Sequence, residues 1–111
     1  WARGRERSTQ DAAMDASRNY GVYDDGTGEQ LAYARVVTDG VTFAWLCDVL
    51  FASEVRGHGV GKMLVAGVVA ELEPLGLKRM LLRTADAHGL YAQFGFTELE
   101  EPSRTMERSD R

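Results

Sequence analysis

Apolar residues along the chain follow two different periods. Tyr20 to Tyr23 has the aromatic and β-branched content of a strand, and Asp24-Asp25-Gly26-Thr27-Gly28 is a dense cluster of turn formers. Leu31, Tyr33 and Val37 then alternate with Ala32, Ala34 and Val36 up to Asp39-Gly40, a hairpin signal, and Val41 to Phe51 is a long β-prone run. Three strands in antiparallel succession are predicted. Beyond them the period lengthens: Val60, Leu64, Val68 and Leu72 recur every fourth residue, with Met63, Val65 and Val69 widening the stripe, as in an amphipathic helix facing a core. Pro74 and Gly76 mark its end. Met80-Leu81-Leu82, within Lys78 to Thr84, reads as a short buried strand. Asp86 suits the cap of a brief helix through Phe94 that Gly95 stops, and Phe96 to Leu99 is a further strand candidate. Within residues 1–19, Ser8 with Asp11 three positions on predicts a short helix whose Ala12, Ala13 and Ala16 bury little. The order is helix, three strands, helix, strand, helix, strand: an α/β layered domain with a mainly antiparallel start and a later crossover.

Composition narrows this picture. A chain of 111 residues, 44% hydrophobic, has room for one domain over 1–111 and can bury a core without disulfides or a structural metal. The single cysteine, Cys47, allows no intramolecular disulfide and points to the cytoplasm. No apolar run approaches the roughly 20 residues of a membrane span. A formal charge of -4 gives no general attraction to nucleic acid. No His, Cys and carboxylate spacing makes a metal site.

The segment richest in chemistry is Arg56-Gly57-His58-Gly59-Val60-Gly61-Lys62, between the long strand and the long helix. Three glycines let backbone N–H groups approach a ligand closely, and at a helix N-terminus those donors join the positive end of the dipole, with Arg56 and Lys62 adding charge. Phosphate or pyrophosphate suits such a loop; a plain strand-to-helix turn explains the glycines equally well. The nucleoside-triphosphate pattern fails, because Arg56 stands where its first glycine belongs and Met63 where it needs Ser or Thr. The dinucleotide fingerprint fails at Lys62 or at Leu64, depending on where it is started.

Arg56, Gly59 and Gly61 do satisfy Arg-x-x-Gly-x-Gly, and here the chain resembles the GNAT acetyltransferase superfamily. Leu46 to Phe51 looks like that family's fourth strand, Val60 to Leu72 like its acetyl-CoA helix, and Leu90-Tyr91-Ala92-Gln93-Phe94-Gly95-Phe96 like its Leu-Tyr-x-x-x-Gly-Phe segment. The resemblance covers residues 20 to 108. It departs from the family at Thr84, where many members carry Asn, and at Ser53, which replaces a common Pro. The resemblance implies a mixed, mainly antiparallel sheet with helices on both faces, in which the fourth and fifth strands splay apart around the pantetheine arm of acetyl-CoA. Val49, Leu50 and Phe51 would pair with the pantetheine amides, and Arg56, Gly57, His58, Gly59, Val60, Gly61 and Lys62 would wrap the pyrophosphate, with Thr84 nearby. No metal is implied, and the partners are acetyl-CoA and an amine, with a homodimer possible. The family's first strand has no counterpart before Trp1, so the N-terminal part is expected to be incomplete or naturally reduced.

The implied reaction is direct transfer of an acetyl group to a primary amine of a small molecule or protein. Tyr91 occupies the position of the family's general acid, and a phenol with an ordinary pKa near 10 is matched to a leaving thiol; the other reading is a tyrosine packing a helix on the sheet. Asp48, a lone carboxylate amid apolar neighbours, is the candidate proton acceptor, or else half of a structural ion pair with an arginine. His88 at a helix start is a weaker proton acceptor than a cap or surface residue. Cys47 alternates with Val49 and Phe51 and reads as a small buried thiol. Trp45, Phe43 and Tyr33 read as sheet packing that could also line an acceptor pocket. The alternative function is a catalytically weak module of the same fold that senses acetyl-CoA and regulates a partner protein.

Overall fold

The computed structural model describes residues 7–52 and 59–109. Helix α1 (Arg7–Asp15) precedes strands β1 (Arg18–Tyr23), β2 (Gln30–Thr38) and β3 (Phe43–Phe51). Helix α2 (Val60–Leu72) runs into a 3₁₀ turn, Glu73–Leu75, and is followed by β4 (Arg79–Leu82), α3 (His88–Ala92) and a second 3₁₀ turn, Pro102–Arg104. The strands form one sheet in the order β1-β2-β3-β4, antiparallel except for the parallel pair β3 and β4.

Alternation on β2 decides where α2 lies. Ala32, Ala34 and Val36 are almost wholly buried, and with Ala44 and Leu46 of β3 they meet Val60, Leu64, Val65, Val68 and Leu72 of α2. Three of those five strand residues are alanines, so the helix can seat closely against the sheet. Tyr20 and Val22 of β1 and Met80 and Leu82 of β4 extend the same core sideways. Met63 departs from the predicted stripe: it is 62% exposed, which narrows the buried face to the every-fourth-residue row and its Val65 neighbour.

The opposite face carries polar groups. Ser17 Oγ donates to Ala13 O at 2.6 Å, Asn19 Nδ2 donates to Met14 O at 2.8 Å, and Arg35 Nη1 donates to Ser17 Oγ at 3.1 Å. The end of α1 is thereby tied to the side of the sheet away from α2, so helices serve both faces as predicted.

Several boundaries differ from the sequence reading. The long run from Val41 starts two residues later as a strand, because the Asp39 carboxylate accepts from the N–H groups of Val41 (2.8 Å) and Thr42 (2.7 Å) and holds both in the hairpin turn. Gly40 in that turn has φ 77°. Helix α3 is capped by no side chain: Asp86 does not do it, and Thr84 Oγ1 instead accepts from Ala87 N at 3.0 Å just ahead of the helix. Phe96 to Leu99 joins no ladder among the described residues, and residues 105–109, after the second 3₁₀ turn, are exposed chain. After Gly95, at φ 90°, the chain stands off the outer edge of β4, leaving a groove of about 1270 Å³ between them. Among the described residues no helix is long and apolar enough to cross a membrane.

Candidate functional site

Strands β3 and β4 begin side by side and then part. Their ladder runs from Phe43↔Arg79 to Leu46↔Leu82 and stops, while β3 continues to Phe51 with β2 alone beside it. Val49, Leu50 and Phe51 therefore have no β4 partner, and the groups on that edge of β3 alternate donor and acceptor as a strand's do. The pairing ends just ahead of the stretch where the resemblance implies that the two strands separate.

The N-terminus of α2 stands beside the end of β3. Gly59 is its N-cap at φ 75°, with no side-chain cap, so the first N–H groups of the helix carry no capping side chain. Gly61 explains how closely the elements meet: a Cβ there would lie 3.3 Å from the Phe51 ring and 3.4 Å from a Leu90 methyl. Glycine thus lets α2, β3 and α3 converge on one point. Lys62 is exposed in the first helical turn, whereas the Val60 side chain is committed to the core, leaving its backbone for any ligand. Arg56, Gly57 and His58 lie outside the described residues. Thr84 follows β4 closely and spends its hydroxyl as acceptor for Ala87 N.

Tyr91 is buried to 6% exposure, with its ring edge-on to Phe96 at a centroid distance of 5.9 Å. Burial raises its phenol above the ordinary tyrosine value. Among the described residues its hydroxyl has no hydrogen-bond partner, and the side chain borders the groove beside β4. Leu90, its neighbour, touches the α2 glycine from the other side. His88 is exposed at the start of α3 and borders the same groove.

Asp48 lies on the face away from α2, and of the two readings its sequence context offers, an ion pair is what forms. Arg35 Nε donates to Asp48 Oδ2 at 2.7 Å, with both side chains less than a fifth exposed. Burial is the largest influence on the Arg35 guanidinium and opposes its charge, but the hydrogen bond it donates to Asp48 and the acidic groups around it together outweigh burial and raise it above its ordinary value. Tyr33 is on the same face, its hydroxyl bonded to Asn19 Oδ1; burial foremost raises its phenol. The expectation that Cys47 shares a face with Val49 and Phe51 is overturned. The pairings Arg35↔Asp48 and Val36↔Leu46 leave Cys47 as one extra residue in β3, a β-bulge, after which the alternation restarts with Val49 and Phe51 packed against the core. Cys47 Sγ donates to Trp45 O at 3.3 Å. Arg35 and Ser17 were not singled out by sequence, although a lone cation inside the apolar alternation of one strand and a lone carboxylate in the next is a usable signal. Among the described residues no cluster of His, Cys, Asp and Glu could hold a metal ion.

Comparison with known proteins agrees with this geometry. Residues 1–96 match the model of the acetyltransferase (GNAT) family. An inferred GNAT-family acetyltransferase from Xanthomonas campestris pv. campestris, solved as a crystal structure, superposes with a TM-score of 0.88 at 43% identity, covering 99% of this chain and 76% of that one. A GNAT-family acetyltransferase from Streptococcus pneumoniae shares the fold at 20% identity with a TM-score of 0.78, covering 97% and 82%. An inferred acetyltransferase of Gibberella zeae is 32% identical over 103 residues, covering 75% of this chain; the match spans 58% of that relative's length. The parted strands, the glycine-led helix and the Leu90 to Phe96 segment thus accompany a family match over most of the sequence, and the chain belongs to the GNAT acetyltransferase family.

Proposed function

We propose that this chain is an acetyl-CoA-dependent N-acetyltransferase acting on a primary amine of a small molecule or a protein. The observation that carries the proposal is the parting of β3 from β4 after Leu46↔Leu82, beside a helix whose N-cap is glycine. The chemistry of the exposed groups fits the donor. The edge of Val49 to Phe51 offers backbone groups that match an amide-bearing chain, and the start of α2 offers N–H groups and Lys62 to a pyrophosphate.

Acetyl-CoA supplies the thioester whose carbonyl carbon the amine attacks, the C–N bond forming as the C–S bond breaks. Backbone N–H groups of β3 are disposed to hold the carbonyl oxygen as it gains charge. Tyr91 is assigned as the group that gives its phenolic proton to the departing sulfur and regains one from solvent. A phenol is protonated at neutral pH and so has a proton to give when the thiolate departs. The amine's proton goes to solvent in this reading, since the carboxylate of Asp48 is committed to Arg35.

Thiol release from acetyl-CoA, measured against a panel of primary amines, tests the proposal. Amine-dependent release that saturates in both substrates is expected. Tight acetyl-CoA binding with no amine-dependent release from any member of the panel would favour the sensing module instead.

A further inference from the structure

Strict alternation along β3 cannot bury what β3 buries. Ala44 and Leu46 face α2, so a regular strand would send Asp48 and Leu50 the same way and turn Val49 and Phe51 outward. In that register Asp48 would come opposite Ala34, in the middle of the apolar face, and Arg35 would come opposite Cys47. The observed strand spends one extra residue at Cys47, and Asp48 comes opposite Arg35 with a 2.7 Å hydrogen bond while Val49 and Phe51 join the core. Position 48 is what separates the two arrangements. An apolar residue there, together with Leu50, would fill the core about as well as Val49 and Phe51 do. Burying an unpartnered carboxylate is the costly alternative.

We infer that the Arg35–Asp48 ion pair is a register lock: it selects the bulged form of β3 and so determines which backbone groups of Val49 to Phe51 project toward the β4 side. Successive residues of a strand present their N–H and C=O to opposite edges, so a slip of one residue exchanges the groups on offer. Arg35 is itself held from α1 through Ser17, whose hydroxyl it reaches at 3.1 Å while that hydroxyl donates to Ala13 O. Arg35 and Asp48 are therefore positioning residues for the donor-binding edge. In this respect the inference rests on the proposed function; as a statement about strand register it stands apart from it.

The test uses the full chain with Asp48→Asn, Asp48→Leu and the double variant Arg35→Met/Asp48→Leu. Cross-strand amide contacts by NMR report whether Ala34 still pairs with residue 49, acetyl-CoA titration reports the edge, and kcat is read separately from KM. Asp48→Asn, which keeps a polar group for Arg35 to bond, is expected to retain the pairing and to stay within about threefold in affinity and kcat. Asp48→Leu is expected to lose the Ala34↔Val49 pairing and at least about tenfold in acetyl-CoA affinity. If that variant does not fold, the double variant, which removes both charges of the pair, carries the same expectation. Survival of the Ala34↔Val49 pairing in the folded apolar variant overturns the lock, whatever the affinity does. A double variant that fails to fold also overturns it, because the pair would then hold the fold and not its register. A large fall in kcat for Asp48→Asn at unchanged affinity would return Asp48 to the chemistry and overturn its assignment as a positioning residue. Failure of the native chain to bind acetyl-CoA counts against the proposed function alone, and the NMR pairing still decides the lock.

Discussion

Tyr91 does two jobs that a single methyl-sized change can separate. Its ring closes the core against Phe96, and its hydroxyl is the proposed proton donor. Tyr91→Phe keeps the ring, so the fold and the acetyl-CoA KM should hold within about threefold, while kcat should fall by about 100-fold, a typical contribution of one positioned acid. An unchanged kcat would take the phenol out of the mechanism. The raised pKa also makes a stability statement. Because the folded state holds the phenolic proton more tightly than the unfolded chain, the associated stability is complete below the ordinary tyrosine value of 10.0. It is lost as the pH climbs from there through the folded value. Tyr33 is shifted in the same direction by its own burial. The melting temperature of the native chain should therefore drop above pH 10 more steeply than that of Tyr91→Phe, and parallel curves would show that the phenol is not desolvated as the structure has it.

Helix α2 shows how far sequence patterning reaches at the level of elements. Its length, its every-fourth-residue core row and its end before Pro74 all agree with the pattern, because a helix buries one stripe and the stripe is visible in the letters. The exposed Met63 marks the limit: a methionine beside the stripe is indistinguishable in sequence from one within it. Leu72→Ala, at 2% exposure, should cost about 2–5 kcal/mol, whereas Met63→Ala should change stability by less than about 0.5 kcal/mol; denaturant midpoints compare the two. Strand β3 was legible as a strand, but its faces were legible only in part, since a bulge is invisible to a period-2 count and takes Cys47 off the face it was expected to share with Val49 and Phe51. Phe96 to Leu99 carries strand-forming residues, yet a strand is defined by a neighbour, and no local pattern announces that a groove lies between this segment and β4. The glycine-led start of α2 beside the end of β3 was legible because it depends on glycines and backbone. Arg35 was not, because its meaning lies in a residue 13 positions away across the bulge.

At the scale of the whole molecule, the elements that meet around the proposed site are not joined by continuous pairing. The β3–β4 pairing ends at Leu46 and Leu82, α3 is five residues long, and α2, β3 and α3 converge where Gly61 faces Phe51 and Leu90. A ligand lodged between β3 and β4 would bridge these parts, and whatever binds the folded chain but not the unfolded one stabilises it by RT ln(1 + [L]/Kd). At 100 times its Kd that is about 2.7 kcal/mol, which for a chain of this size corresponds to a rise in melting temperature of roughly 10 °C. Acetyl-CoA should produce such a concentration-dependent rise, and CoA a comparable one, since most of the proposed contacts are to the pantetheine and pyrophosphate shared by both. ATP and NAD at the same concentrations should produce far less, because neither supplies an extended amide-bearing arm for Val49 to Phe51 to pair with. Equal shifts from ATP and acetyl-CoA would place the binding energy at the helix N-terminus and leave the parted strands without a role.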